Sequence, residues 1–528
     1  MRKIIITFFV LVSIIQTKAQ LQEYARWQQP IPKKLEQSFE VLPLIKDKKV
    51  IIFGEKEIEK NDTKLNAVYF KVLDSNLRVQ TEKEYILEKK WNFEDYYSDS
   101  TNLYLIFYNN NYRNFTILTF NQTDIELRTA EVPFTFTPTS FWVFGNNAFI
   151  IGRHRGKDVM LDFSFFDNTL KAIPSFFDDK YDIRNIEINK EENYANVIIQ
   201  ELKRGEKKFF VRRLQSNGKQ ISENEFLFDK SKYPTDLESF TFNNEHYLLG
   251  LYGNGQSHFY SQGWIWAKYN PENPKTPYIS QQSFDYLQHF FEYFSSPRRA
   301  KKERDKAWKK REEGKNYTYK LRFRMQRPQV YKNQLLLTAE SFTMAYQYNG
   351  SLNNPTSLTN AELMRYPYYA RPWGTAANPT AMPTYQFAHS ITMAFDFSGN
   401  LLWDNALKIQ ETSKIDLEPN VLIAPKNNYI LMLQCYQKGI NLKVINQNNT
   451  IFEDKKIPYQ KYYESYPQKE AKINPKTNKT YNWYDDYILI SGDFNPNGDK
   501  IFNRVEDVFY VAKLKFIKPE KSKNNENK

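Results

Sequence analysis

The stretch Ile391-Thr-Met-Ala-Phe-Asp-Phe-Ser-Gly-Asn-Leu-Leu-Trp403 decides how the chain is read. Apolar side chains recur at every second position from 391 to 397, the period of a strand with one buried face. Ser398-Gly-Asn400 then supplies turn chemistry, and Leu401-Leu-Trp403 opens an antiparallel partner. The same unit of apolar strand, polar turn and aromatic strand begins near Val50, Tyr104, Phe149, Asn196, Tyr247, Leu335, Ile430 and Ile488. The intervals are 54, 45, 47, 51, 88, 95 and 58 residues, and five of the seven fit one four-stranded propeller blade. The two long intervals mark where extra material is inserted.

The expected fold is therefore all-β: a single β-propeller of seven or eight blades, with tandem β-sandwich domains as the structural alternative. No Pro/Gly/Ser-rich linker near the middle divides the chain, which favours one continuous domain over 20–517. Glycine speaks against a propeller, with only 17 in 528 residues. The segment from His389 to Ile409 resembles uncharacterised exported β-propeller-like proteins of the Bacteroidota. That resemblance implies fold and export and carries no activity with it.

Residues 1–19 read as a signal peptide. Arg2 and Lys3 precede an apolar run from Ile4 to Ile15, and Thr17 and Ala19 stand at the −3 and −1 positions of a cleavage site before Gln20. The run is shorter than the roughly 20 residues a spanning helix needs, so no transmembrane span is expected after cleavage. The expected location is periplasmic or extracellular at the cell surface. The one cysteine, Cys435 in Tyr429-Ile-Leu-Met-Leu-Gln-Cys435, excludes a disulfide within the chain and reads as a buried strand residue.

Two insertions carry contact-prone chemistry. The first, about 281–315, is expected to be a helical hairpin. Phe284, Leu287, Phe291 and Phe294 suit an amphipathic helix, and Ser296-Pro297 suits the start of a second one. From 298 to 315 there are ten basic and four acidic residues, a net of +6 within a chain of formal charge +13. Arg298, Arg299, Lys301, Lys302, Arg304, Lys309, Lys310 and Arg311 are its candidate binding residues, with Asp305–Lys309 and Arg299–Glu303 as local ion pairs. Such a helix can dock on an anionic envelope surface or an envelope protein, whereas nucleic acid is not the expected partner of an exported chain. The second insertion, about 351–388, is Pro-rich and reads as a loop. Tyr366, Tyr368, Tyr369 and Trp373 within it, and Trp483 and Tyr484 further on, are candidate aromatic contact residues. Residues 518–528 read as a disordered polar tail.

Catalytic signatures are missing from the sequence. His154, His246, His258, His289 and His389 show no metal-binding spacing, and there is no G-x-S-x-G elbow or phosphate-binding P-loop. Asp493, Asn495 and Asn497 occupy positions 1, 3 and 5 of a calcium-type loop, but Arg504 stands where the bidentate Glu belongs, so a strand turn is expected and no metal. No cofactor is implied. The functional expectation is an exported, envelope-associated binding or scaffold protein without catalysis. The alternative is an exported carbohydrate-active enzyme with a site on the propeller axis, an analogy from fold alone.

Overall fold

Short β-branched and aromatic runs cannot hide both faces in one sheet, so they pair into small sheets and stack. The computed structural model describes residues 20–517, apart from 32–37, 61–62, 88–90, 100, 110–112, 177–180, 204–205, 255–259, 274–276, 293, 295, 316, 349–380, 411–412, 415–416, 437, 459–471, 474–476 and 496–506. These residues form eight antiparallel sheets, the blades of one eight-bladed β-propeller. Blades 1 to 7 begin at Glu40, Asn92, Thr137, Tyr181, Lys232, Arg322 and Leu422, and blade 8 contains Lys479–Asn482, Tyr487–Asn495, Asp507–Ile517 and Gln20–Ile31. All eight positions of the sequence period fall in the second strand of a blade. That strand has neighbours on both sides and is the most apolar, as in Leu103–Tyr108, where every residue is buried.

The first strands form the inner ring, where those of blades 2 and 3, 4 and 5, and 7 and 8 touch. Fourth strands such as Val79–Ile86 face solvent at the rim. Among the described residues the buried apolar side chains form eight clusters, and each cluster belongs to one pair of neighbouring blades. Aromatic rings bridge the wedge between sheets. Phe70 stacks on Phe120 with centroids 4.4 Å apart between blades 1 and 2, and Phe115 meets Phe163 edge-on at 5.7 Å between blades 2 and 3. Phe39 stacks on Phe509 at 4.3 Å between blades 1 and 8. The high aromatic content is thus structural in large part, because large flat groups fill the gap between twisted sheets. Cys435 is buried in the cluster between blades 7 and 8.

Carboxylates fix the order of blades by accepting backbone N–H groups from the next inner strand. Asp158 accepts from Ile183 at 3.0 Å, Asp236 from Met325 at 3.0 Å, and Glu340 from Asn420 and Val421 at 2.9 Å each. Closure follows the same logic on a larger scale. Gln20–Ile31 pairs with Asp507–Ile517 over its whole length, from Gln20 opposite Ile517 to Ile31 opposite Asp507. Lys479 of blade 8 also reaches Glu40 of blade 1 at 3.1 Å and Glu418, just ahead of blade 7, at 3.5 Å.

Two sequence expectations change here. The segment from Phe284 to Phe294 is not an amphipathic helix: among its described residues only Phe284–Tyr286 makes a 3-10 turn. Asp404 accepts the N–H groups of Gln288 and His289, each at 2.8 Å, and so ends the turn there. The phenylalanines pack as an aromatic knot with Tyr319 and Phe323 instead. The first insertion is therefore one helix on an aromatic base and not a helical hairpin. In the second insertion, the part from 381 to 388 belongs to a long strand of blade 6, Ala381–Phe395, so the expected loop ends earlier. Its residues 351–380 lie outside the described residues.

Removing residues 20–31 leaves the edge of Asp507–Ile517 unpaired and bares the contact between blades 8 and 1. Thermal unfolding followed by circular dichroism should then lose its single cooperative transition. A truncated chain that melts as sharply and at the same temperature as the full chain contradicts this role for the closing strand.

Candidate functional site

The one α-helix among the described residues, α1 (Pro297–Glu312), begins as its sequence dictates, with Pro297 in the first turn and the Ser296 hydroxyl accepting from Arg299 N–H at 3.2 Å. Only Ala300 and Ala307, two turns apart, are buried, and they seat α1 on the aromatic knot. Arg311 pairs with the buried Asp285 at 2.8 Å and lies over the Tyr286 ring at 4.6 Å. Trp308 Nε1 donates to the Asp285 carbonyl at 3.4 Å, and Tyr317 hydroxyl donates to Glu303. Glu303 pairs with Lys306 at 3.4 Å, and the Tyr317 hydrogen bond, with the Lys306 and Arg299 charges, holds its carboxyl below the usual range. The helix is thus fixed along one narrow seam.

Its other faces are open. Arg298, Arg299, Lys301, Lys302, Lys309, Lys310 and Arg311 are exposed, and Arg304 is half-buried with its guanidinium over Trp308. The eight residues singled out from sequence therefore stand together on one helix. Lys309, Lys310 and Arg311 occupy the last turn, where the helix dipole favours cations. Arg298 and Arg299 occupy the first turn, which holds no acid, and there the dipole disfavours them. Helix stability does not account for Arg298, whereas the Arg299 charge also acts on Glu303 one turn on.

The aromatic and calcium candidates resolve differently. Trp483 is only 2% exposed and Tyr484 is buried beside it, both in the cluster between blades 8 and 1. They are closure residues and not loop contacts, because Trp483 Nε1 reaches across to the Lys49 carbonyl at 3.3 Å. Tyr366, Tyr368, Tyr369 and Trp373 lie outside the described residues, as does Asn497. Asp493 and Asn495 belong to the strand Tyr487–Asn495 and not to a loop. Burial, reinforced by Asp507, pushes the Asp493 carboxyl up to about 6 against the Thr477 hydrogen bond. Among the described residues no group of His, Cys, Asp and Glu could hold a metal ion.

A second region was not legible in the sequence. The inner strands of blades 2 to 5 each carry a bulge against their second strand, at Phe93/Asp95, Pro138/Ser140, Ile183/Asn185 and Pro234/Asp236. Beyond it, residues of blades 4 and 5 line a cavity of about 700 Å³. Its walls include Glu187, Glu238, Phe240 and Thr241, with Lys190 at one turn and Arg327 arriving from blade 6. Glu187 accepts from Ser239 Oγ at 2.6 Å and from Asn196 Nδ2 at 2.9 Å. Lys190 pairs with Asp99 of blade 2 at 3.6 Å and lies over Tyr97 at 5.2 Å. Burial and the Asp99 charge raise the Tyr97 phenol to about 12, with Arg327 opposing. Four blades thus converge at this axial mouth. Spacing along the chain gives no sign of it, since its residues come from strands over 200 positions apart.

Behind the cavity, Tyr194 hydroxyl donates to Thr241 Oγ1 at 3.0 Å and Arg213 lies 3.7 Å from the Tyr194 ring. Burial and the Arg213 charge pull the His246 imidazole down to about 4, so it is neutral and accepts from Arg213 at 3.2 Å. His389 is likewise buried, lowered to about 4, and contacts Ser341 Oγ at 2.8 Å. These histidines hold structure together.

No family model matches the chain, and no curated protein matches it. Among solved structures, the polysaccharide lyase Uly1 is similar over 82% of this chain and 93% of that one, at 7% identity and a TM-score of 0.34. An apocarotenoid oxygenase of Synechocystis is similar over 44% of this chain, at 8% identity and a TM-score of 0.27, and the match takes in 61% of that protein, less than two thirds of its length. Lignostilbene dioxygenase of Pseudomonas brassicacearum is similar over 46% of this chain and 63% of that one, at 6% identity and a TM-score of 0.30. At these scores the likenesses carry no activity to this chain.

Two outcomes test the assignments at blade 8. Trp483→Ala removes the largest buried side chain at the closure and should cost about 3–5 kcal/mol in denaturant unfolding. The raised Asp493 carboxyl favours the folded state when protonated, so its contribution is fully present below about pH 4 and lost as pH rises through about 6. Asp493→Asn should therefore stabilise the chain at pH 7.5 by on the order of 2 kcal/mol and make no difference below pH 4, read as melting temperature against pH. An equal effect at both pH values contradicts the assignment.

Proposed function

We propose that this chain is an exported binding protein of the cell envelope, in which a rigid propeller presents α1 to an anionic membrane surface. The observation that carries the reading is the position of the cations. Arg298 sits where a helix is destabilised by positive charge, on a helix whose Lys301, Lys302, Lys309 and Lys310 are also exposed. Charge that local stability opposes is charge retained for contact. The alanine seam and the Arg311–Asp285 pair hold the helix in one orientation, so the cations form a fixed patch. Clustered Lys and Arg side chains gain about 1 kcal/mol each against an anionic lipid surface, an attraction that salt screens. The basic and apolar character of residues 1–19 supports export. Among the described residues no helix is long and apolar enough to cross a membrane.

Co-sedimentation with phosphatidylglycerol vesicles and phosphatidylcholine vesicles tests this. The chain should bind only the former at low salt and release in about 0.5 M NaCl, where the screening length falls to a few ångströms. Replacing Lys301, Lys302, Lys309 and Lys310 with Glu should weaken binding by on the order of 100-fold or more with an unchanged melt. Binding that is indifferent to lipid charge, or unchanged in the variant, overturns the proposal.

A further inference from the structure

The axial cavity between blades 4 and 5 has no part in the contact made by α1. We infer that it is a binding site for a neutral, polyhydroxylated ligand of the class of a short oligosaccharide. Its volume of about 700 Å³ lies within the range of roughly 300–1,000 Å³ typical of ligand clefts. Its walls are the inner strands Tyr181–Asn189 and Lys232–Phe242, held by their ladders to the second strands, so the shape exists before any ligand arrives.

The lining chemistry selects the class. A sugar hydroxyl both donates and accepts, and it needs amide, hydroxyl and carboxylate groups side by side. Asn243 and Asn244 supply amides at the rim and the buried Glu238 a carboxylate, while the Ser239 and Thr241 hydroxyls on the wall are bonded to Glu187 and Tyr194 and hold those groups in place. Arg327 adds a donor from blade 6. Phe240, Phe242 and Pro328 give the apolar surface against which the C–H face of a pyranose ring can lie. The rings are set, since Phe242 stacks on Phe397 with centroids 5.0 Å apart.

The charges argue against an anionic ligand. Lys190 is matched by Asp99, and Glu187 is engaged by Ser239 and Asn196. The other acids of the lining apart from Glu238, namely Glu191 and Glu192, are on an exposed turn where water screens them. With Lys190 matched by Asp99, the carboxylates of Glu187 and Glu238 outnumber the single Arg327, so the lining is acidic on balance and disfavours an anion.

Isothermal titration of the full chain with cellohexaose, xylohexaose and laminarihexaose, beside oligogalacturonate and chitosan hexamers as charged counterparts, tests the site. At least one neutral hexasaccharide should bind saturably, with an affinity that hardly changes between 0.05 and 0.5 M NaCl. Glu191→Trp, which places a bulky ring at the exposed rim, and Arg327→Ala, which removes a donor, should each weaken it by about tenfold or more while the melting temperature stays the same. The charge-reversed α1 variant should bind the sugar like the parent, so failure of the membrane reading and failure of this one are separable. No saturable binding of any neutral hexasaccharide, equal binding by both cavity variants, or preference for a charged hexamer overturns the inference.

Discussion

A ring of wedge-shaped sheets is stable only when the last wedge meets the first, and the pairing of Gln20–Ile31 with Asp507–Ile517 is what brings them together. Without it, blade 8 would end in an open edge and the cluster containing Val41, Trp483 and Val511 would face water. This cluster joins the two ends of the chain, and the neighbouring one between blades 7 and 8 takes in Leu21 of the same closing strand. The loop closed is almost the whole protein, and its entropy is met by a long backbone ladder together with the buried Trp483 and the Lys479–Glu40 pair. The contacts there are correspondingly dense, which is why two aromatics that look like surface loop residues are in fact interior.

Closure also decides the character of the axis. Inner strands of eight blades cannot all direct apolar residues toward a shared centre, so charged groups meet there and neutralise one another across blades. Lys479 is held between Glu40 and Glu418, and these two carboxylates keep its ammonium charged despite the opposing pull of burial. Lys190 meets Asp99 in the same manner on the side where the 700 Å³ cavity opens. Bulges in the inner strands of blades 2 to 5 add the local twist that turns side chains toward this space. The rim, with α1, and the axis, with its cavity, are thus separate devices on one platform.

Low glycine content, which spoke against a propeller, has a structural account. Tight hairpin turns need backbone with positive φ, and glycine is the usual residue there. Among the described residues this chain instead places asparagine at several of them, including Asn168, Asn193, Asn243, Asn244 and Asn333, with φ between 50° and 59°. Asparagine tolerates the left-handed region because its short amide can bond locally. Glycine is kept where a side chain cannot fit, as at Gly250, whose added Cβ would lie 2.3 Å from the Asp236 carbonyl oxygen.

The sequence by itself determined the all-β class, the eight starts of a repeated hairpin pattern, the cap and extent of α1 and the clustering of its cations. Each of these is written in neighbouring residues: strand alternation, turn chemistry, a Ser-Pro start and the charge of one continuous helix. Tertiary structure alone decided that the phenylalanines of 284–294 would knot and not coil, since Asp404, more than a hundred positions away, binds the backbone that a helix would have used. It alone decided that Trp483 is interior and that Tyr97, Lys190, Glu238 and Arg327 share an axial mouth. The physical reason is common to both cases. Hydrogen-bond partners and neighbours across blades are set by ring geometry, and nothing in local spacing encodes which distant strand will stand opposite.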